Sequence, residues 1–250
     1  MINSQLNDKI NELGYIGLKD AYERQCEDRN YDTMGFEERF YQLLDAQVLF
    51  LKNKRITMNH RISKIKDKLA ALDAIDYKPD RHINKAQLQS LSAFNFIHAH
   101  QNIIITGKTG TGKSYIAQAL ANRAIYDGYR AFYIRTPSLL EEIRISRADG
   151  TYTNLFKKYS RFQLIVLDDF GVSPMVEDDT TNLFEIIEDR SEINSTIITS
   201  QLPVSEWYNY LNNNTIADAI LDRIIHSSHR IELQGDSMRK AHSSVAKIKY

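Results

Sequence analysis

In residues 1–75, apolar positions recur at three- and four-residue steps, the period of helices that bury one face. Leu6, Ile10 and Leu13 predict a first short helix. A break is expected from Gly14 to Gly17, and residues 18–28 form a second helix. A long helix follows from Phe36, with Phe36, Phe40, Leu43, Leu44, Val48 and Leu51 as its buried face. Pro79 marks a boundary, because proline disfavours helix in the residue before it. Residues 85–99 read as another helix. Short apolar runs then alternate with longer amphipathic segments. Ile103–Ile105, Ala131–Ile134, Leu164–Leu167 and Thr196–Thr199 are strand signals, with a fifth at Ile231–Leu233. Helices are expected from Gly112 to about Ala124 and over 178–190, and Thr136 with Pro137 has the form of a helix start. The alternation predicts an α/β fold with a central parallel sheet covered by helices on both faces. A small all-α N-terminal domain over 1–75 precedes this sheet domain over 76–250.

Composition narrows the class. The chain has 250 residues, and 32 Lys and Arg balance 32 Asp and Glu. Its 42% hydrophobic and 26% charged residues are ordinary for a soluble globular protein. The single cysteine, Cys26, excludes intrachain disulfides and fits a reducing compartment. No apolar run approaches the roughly 18 residues of a membrane span, and MINSQLNDKI lacks a signal-peptide pattern. A cytoplasmic protein with no membrane partner is expected. Charge is uneven along the chain. Residues 1–50 hold ten acids and five bases, whereas residues 51–70 hold seven bases and one acid. That basic run (Lys52, Lys54, Arg55, Arg61, Lys64, Lys66 and Lys68) fits a solvated helix face, a phosphate-backbone contact or a protein-docking surface.

The strongest chemical signal is Gly107-Lys108-Thr109-Gly110-Thr111-Gly112-Lys113-Ser114, which matches G-x-x-x-x-G-K-[ST] at every fixed position. Glycines let the loop backbone bring its N–H groups close to a polyphosphate. The following helix aims its positive end at the same place. Lys113 offers a compact charge to the β- and γ-phosphates, and Ser114 a hydroxyl to Mg²⁺. The flanking strand and helix signals are the context this loop requires.

Leu164-Ile165-Val166-Leu167-Asp168-Asp169 reads as an apolar strand ending in two carboxylates. Asp168 is the candidate for holding Mg²⁺, and Asp169 for polarising an attacking water. One predicted strand lies between the two motifs, as in the additional-strand ATPases. The next strand runs into Ser200-Gln201, either of which is placed to reach a γ-phosphate or orient the water. Arg190 is a weaker candidate for a subunit or DNA contact. His226 and His229 lack further ligands at metal spacing and read as non-metal residues. Trp207 reads as packing against the sheet or a lid more than as a base-stacking platform.

The series GKTGTGKS, LIVLDDFG, TIITSQLPVSEW, ADAILDRII and GDSMRK resembles the IstB-type helper ATPases of insertion-sequence transposition. These are AAA+ proteins related to DnaC-type helicase loaders. The resemblance spans roughly residues 1–245 and is most distinctive from Ile198 to Lys240. It implies an AAA+ P-loop ATPase that uses ATP and Mg²⁺. It also implies that Arg223 is an arginine finger reaching a neighbouring subunit's nucleotide. Arg239 is then a second sensor on the γ-phosphate, and Ser200 or Gln201 the first sensor. ATP-dependent self-assembly on duplex target DNA, slow hydrolysis as a switch, and stimulation of a partner transposase follow as expectations. The helical N-terminal segment would carry transposase or subunit contacts. A helicase loader is the alternative within the same fold. A small-molecule phosphotransferase is an alternative of a different functional class, and a nucleotide-gated DNA-binding module that barely hydrolyses ATP is a further one.

Overall fold

Five parallel strands form the frame: β1 (Asn102–Gly107), β2 (Ala131–Arg135), β3 (Leu164–Phe170), β4 (Ser195–Ser200) and β5 (Ser228–Leu233). A computed structural model describes residues 4–212 and 214–238. The strands lie side by side in the order β2-β3-β4-β1-β5. β4 therefore separates β1 from β3, with Ile104 opposite Ile198 in one pairing and Leu167 opposite Ile198 in the other. Because every pairing is parallel, the ends of β1, β3 and β4 emerge at one edge. That edge is where open α/β sheets bind ligands.

The helices among the described residues are α1 (Ser4–Glu12), α2 (Ile16–Glu27), α3 (Phe36–Ile62), α4 (Lys85–Leu91), α5 (Asn95–His98), α6 (Lys113–Tyr126), α7 (Thr136–Ala148), α8 (Tyr152–Ser160), α9 (Glu177–Arg190), α10 (Trp207–Leu211) and α11 (Asn214–Ile225). The strand period of two sorts side chains to the two faces of the sheet. Phe132, Ile134, Ile165, Leu167, Ile104 and Ile198 enter one core cluster with residues of α7, α9, α10 and α11. The alternate positions face the other way, where α6 crosses the sheet and buries Ile116, Ala117, Leu120 and Ala121. Trp207 is fully buried, its ring 4.6 Å from that of Phe170, so it packs the core and does not stack on bases. Among the described residues no helix is long and apolar enough to cross a membrane.

The chain divides into two compact units between Met58 and Asn59. In the second, residues 65–71 lie along α6. Asn122 donates to the carbonyls of Asp67 and Ala70, both at 2.9 Å, and Gln118 accepts from the backbone of Lys66 and Asp67. In the first, two expectations fail. The expected break is shorter, and Gly17 lies inside α2, where a Cβ would collide with Phe50 and the Ala46 carbonyl. The stripe expected to be the buried face of α3 is exposed except at half-buried Leu43, Phe36 by 78% and Val48 by 63%. α2 and α3 meet instead through small and amide residues. Gln47 accepts from the Leu18 backbone at 3.1 Å, and Gln25 donates to the Arg39 carbonyl at 2.9 Å. The helix expected over 85–99 is broken into α4 and α5 by Phe94, whose φ is +58°. All seven bases of the 52–68 run are exposed, and Lys64 pairs with Glu142 at 2.9 Å.

Arg190 is 2% exposed, so it is no surface contact. Its guanidinium donates to the carbonyls of Tyr159 (3.1 Å), Phe162 (2.9 Å) and Ser195 (2.6 Å), clamping the approach to β3 onto the start of β4. Burial, opposed by the charge of Asp189, pushes its pKa down to about 9, which leaves it protonated at neutral pH. Arg190→Met is expected to strand these carbonyls and cost about 3 kcal/mol, read as a lower urea midpoint. An unchanged midpoint would contradict the clamp.

Candidate active site at the phosphate loop

The loop joins β1 to α6. Gly112 caps α6 with φ +97°, and Gly110 has φ +85°, values that suit glycine. The room left by their missing Cβ atoms is taken up from within the chain. At Gly110 a Cβ would collide with Ser237, and at Gly112 it would come 2.8 Å from Arg81 Nη2. Lys113 is buried, and its Nζ donates to the carbonyls of Gly107 (2.7 Å) and Lys108 (2.9 Å), curled back over its own loop. Lys108 and Thr109 are exposed. Thr111 Oγ1 donates to the Lys108 carbonyl at 2.9 Å and tightens the turn.

Asp168 lies at the centre of the site, 3% exposed. Three hydroxyls donate to its carboxylate: Ser114 at 2.8 Å, Thr199 and Tyr133. Strand alternation explains the convergence. Tyr133, Asp168 and Thr199 each follow a residue that enters the opposite core, so all three face the start of α6. Burial first, then the bond to Asp168, raises the Tyr133 pKa well above the usual tyrosine range, so it stays a donor at neutral pH. The hydroxyl of Ser114 and the carboxylate of Asp168 form an oxygen-only donor set, which suits a small hard cation such as Mg²⁺.

Asp169 departs from the strand. Its φ is +59°, and the β3–β4 register shifts between Leu167 and Phe170. The bulge puts Phe170, not a carboxylate, into the core against Trp207 and turns Asp169 outward. There Asp169 pairs with Arg135 Nε at 2.7 Å and its N–H donates to Thr199 Oγ1 at 3.2 Å. The bond to Asp169 raises the Arg135 pKa further.

The remaining candidates separate. Ser200 is fully buried, donates to the Phe170 carbonyl at 2.7 Å and accepts from the Leu202 backbone at 3.0 Å. Gln201 instead accepts from Thr109 of the loop at 2.7 Å. Arg223 is on α11, and its carbonyl accepts from Asn102 at the start of β1, the end of that strand remote from the loop. Its guanidinium pairs with Glu188, donates to the Ala219 carbonyl at 2.9 Å and lies over the Phe184 ring. Arg239 lies outside the described residues. Tyr133, Arg135, Thr199 and Arg81 were not singled out from the sequence. Alternation along β2 and β4 carried the signal for the first three, once the strand order was known.

Residues 8–246 match the family described as IstB-like ATP binding protein. An insertion sequence ATP-binding protein of Sinorhizobium fredii is 36% identical over 233 residues, covering 93% of this chain and 95% of its own. The ATP-binding protein of insertion sequence IS1162 of Pseudomonas fluorescens is 32% identical, covering 82% and 89%. The solved structure of DnaI superposes with a TM-score of 0.58 at 20% identity over 67% of this chain and 92% of that one. That of the DnaC helicase loader gives 0.54 at 20% identity over 68% and 99%. At that identity the two structures speak to the fold alone, that of an AAA+ P-loop ATPase.

Tyr133→Phe removes one of the three donors on Asp168 and little else. It is expected to cost about 1–2 kcal/mol in urea unfolding at neutral pH. A variant as stable as the parent would mean that the hydroxyl shell does not hold Asp168.

Proposed function

The chain belongs to the IstB-like ATP-binding family and is an ATPase of the AAA+ fold; on that premise we propose that it is an ATP-driven helper of transposition that acts as a switch. The observation that carries the reading is the contact of Ser114 with Asp168 directly beneath the phosphate loop. It brings the two halves of a nucleotide site together at one edge of the parallel sheet, from strands separated only by β4.

ATP is the substrate of this reading. The loop's N–H groups and the start of α6 bind its phosphates, and Lys113 exchanges the two loop carbonyls for phosphate oxygens. Ser114 and Asp168 are the residues that would hold Mg²⁺, which when bound neutralises charge on the phosphates. Asp169 takes the proton of the attacking water. Its short side chain and its pairing with Arg135 both favour slow turnover, which suits a timing switch more than a motor. Gln201, bonded to the loop, is better placed than Ser200 to sense the nucleotide.

Arg223 serves a neighbouring subunit. Its position beside the start of β1 keeps it from its own loop, so ATP becomes part of a subunit interface and drives assembly. To act there, its guanidinium leaves Glu188. Arg239 is proposed as a second contact to the γ-phosphate on the strength of the GDSMRK motif alone. The assembly holds duplex target DNA through phosphates with little reading of bases, and the exposed bases of residues 52–68 support such a contact. In the cytoplasm it recruits and stimulates a partner transposase.

Sizing with ATP and duplex DNA, combined with ATP turnover, tests this reading. Lys113→Ala is expected to lose nucleotide binding. Asp169→Asn should bind ATP but hydrolyse it about 100-fold more slowly. Arg223→Ala should bind ATP yet lose DNA-stimulated hydrolysis. Normal hydrolysis by assembled Arg223→Ala would end the finger assignment, and a wild type that stays monomeric with ATP and DNA would end the switch.

A further inference from the structure

We infer that Arg81 is a positioning residue for the phosphate loop, fixing the direction of loop N–H groups from outside the nucleotide site; this rests on the ATP-binding reading above. Arg81 is 5% exposed. Its guanidinium is spent on backbone carbonyls. Nη2 donates to Thr111 of the loop at 2.7 Å, and Nη1 donates to the Asp76 carbonyl. Nε–H is buried without an acceptor in the described structure. Burying a guanidinium on such terms is costly, and its bonds to carbonyls offset that cost only in part.

What it orients follows from peptide planarity. In a trans peptide the N–H points opposite to the preceding C=O. Drawing the Thr111 carbonyl toward Arg81 therefore aims the Gly112 N–H away from Arg81. Gly112 caps α6, and the leading N–H groups of a helix have no partner within it. A second outer bond acts on the preceding peptide, where the Met238 N–H donates to the Gly110 carbonyl at 2.9 Å. The two supports are themselves joined, because the Gln234 N–H donates to the Arg81 carbonyl at 3.2 Å. Gly112 fits the same arrangement. A Cβ there would come 2.8 Å from Arg81 Nη2, so any larger residue at this position would push the guanidinium from its present place. The forked guanidinium spans two carbonyls at once, which a lysine ammonium at one point does not.

The test uses the full chain with Arg81→Met, which keeps much of the volume, and Arg81→Lys, which keeps the charge. Fluorescent ATP and ADP give the two dissociation constants, turnover gives kcat and KM, and urea unfolding reports the fold. Arg81→Met is expected to weaken ATP and ADP alike by about tenfold, raising KM and leaving kcat at saturation unchanged. Arg81→Lys should fall between, about threefold weaker. A folded Arg81→Met that binds both nucleotides as the wild type does would overturn the inference. If Arg81→Met does not fold, Arg81→Lys decides, and wild-type affinity there overturns it as well. A wild type that binds neither nucleotide would instead sink the ATP reading itself.

Discussion

A carboxylate buried at the end of a central strand and surrounded by three hydroxyl donors is the constraint on which the site depends. Asp168 accepts from Ser114, Thr199 and Tyr133, which come from the start of α6 and from the strands on either side of β3. A buried charge needs such donors. Here the donors also tie three strands and the leading helix to one point. The phosphate loop is thereby set over a negative centre made only of oxygen atoms. A guanidinium in the same place would stabilise the carboxylate better and leave it unable to take a metal.

The arginines show how differently one side chain is used. Arg190 binds carbonyls deep in the fold and belongs to its stability. Arg135 restrains the second carboxylate, Asp169, outside the core. Arg223 lies at the opposite end of β1 from the loop, paired within its own chain. Arg81 binds the outer side of the loop. Burial and partner chemistry separate these roles, and neither is visible from residue type alone.

Much of the fold could be read from the sequence, because the five strands are short apolar runs and the loop motif demands a strand before it and a helix after it. The pairing of Ser114 with Asp168 was equally legible. Strand order was not, so the convergence of Tyr133 and Thr199 on Asp168 could not be seen. The bulge at Asp169 was hidden as well, since two adjacent aspartates read alike until one of them takes a positive φ. Helical spacing misled on α3. Its period is genuine, but Gly17 and Gln47 make the contact with α2, and the apolar stripe faces outward. Arg81 left no trace in the sequence, because its partners are backbone carbonyls and any residue type supplies those.

In the proposed function Asp168 and the loop form one Mg²⁺-ATP site. Calorimetric titration of ATP with and without Mg²⁺ tests it most directly, for the wild type and for Asp168→Asn. Mg²⁺ is expected to tighten ATP binding to the wild type and to have little effect on Asp168→Asn. An Asp168→Asn protein that stays folded and keeps the full Mg²⁺ dependence would contradict it.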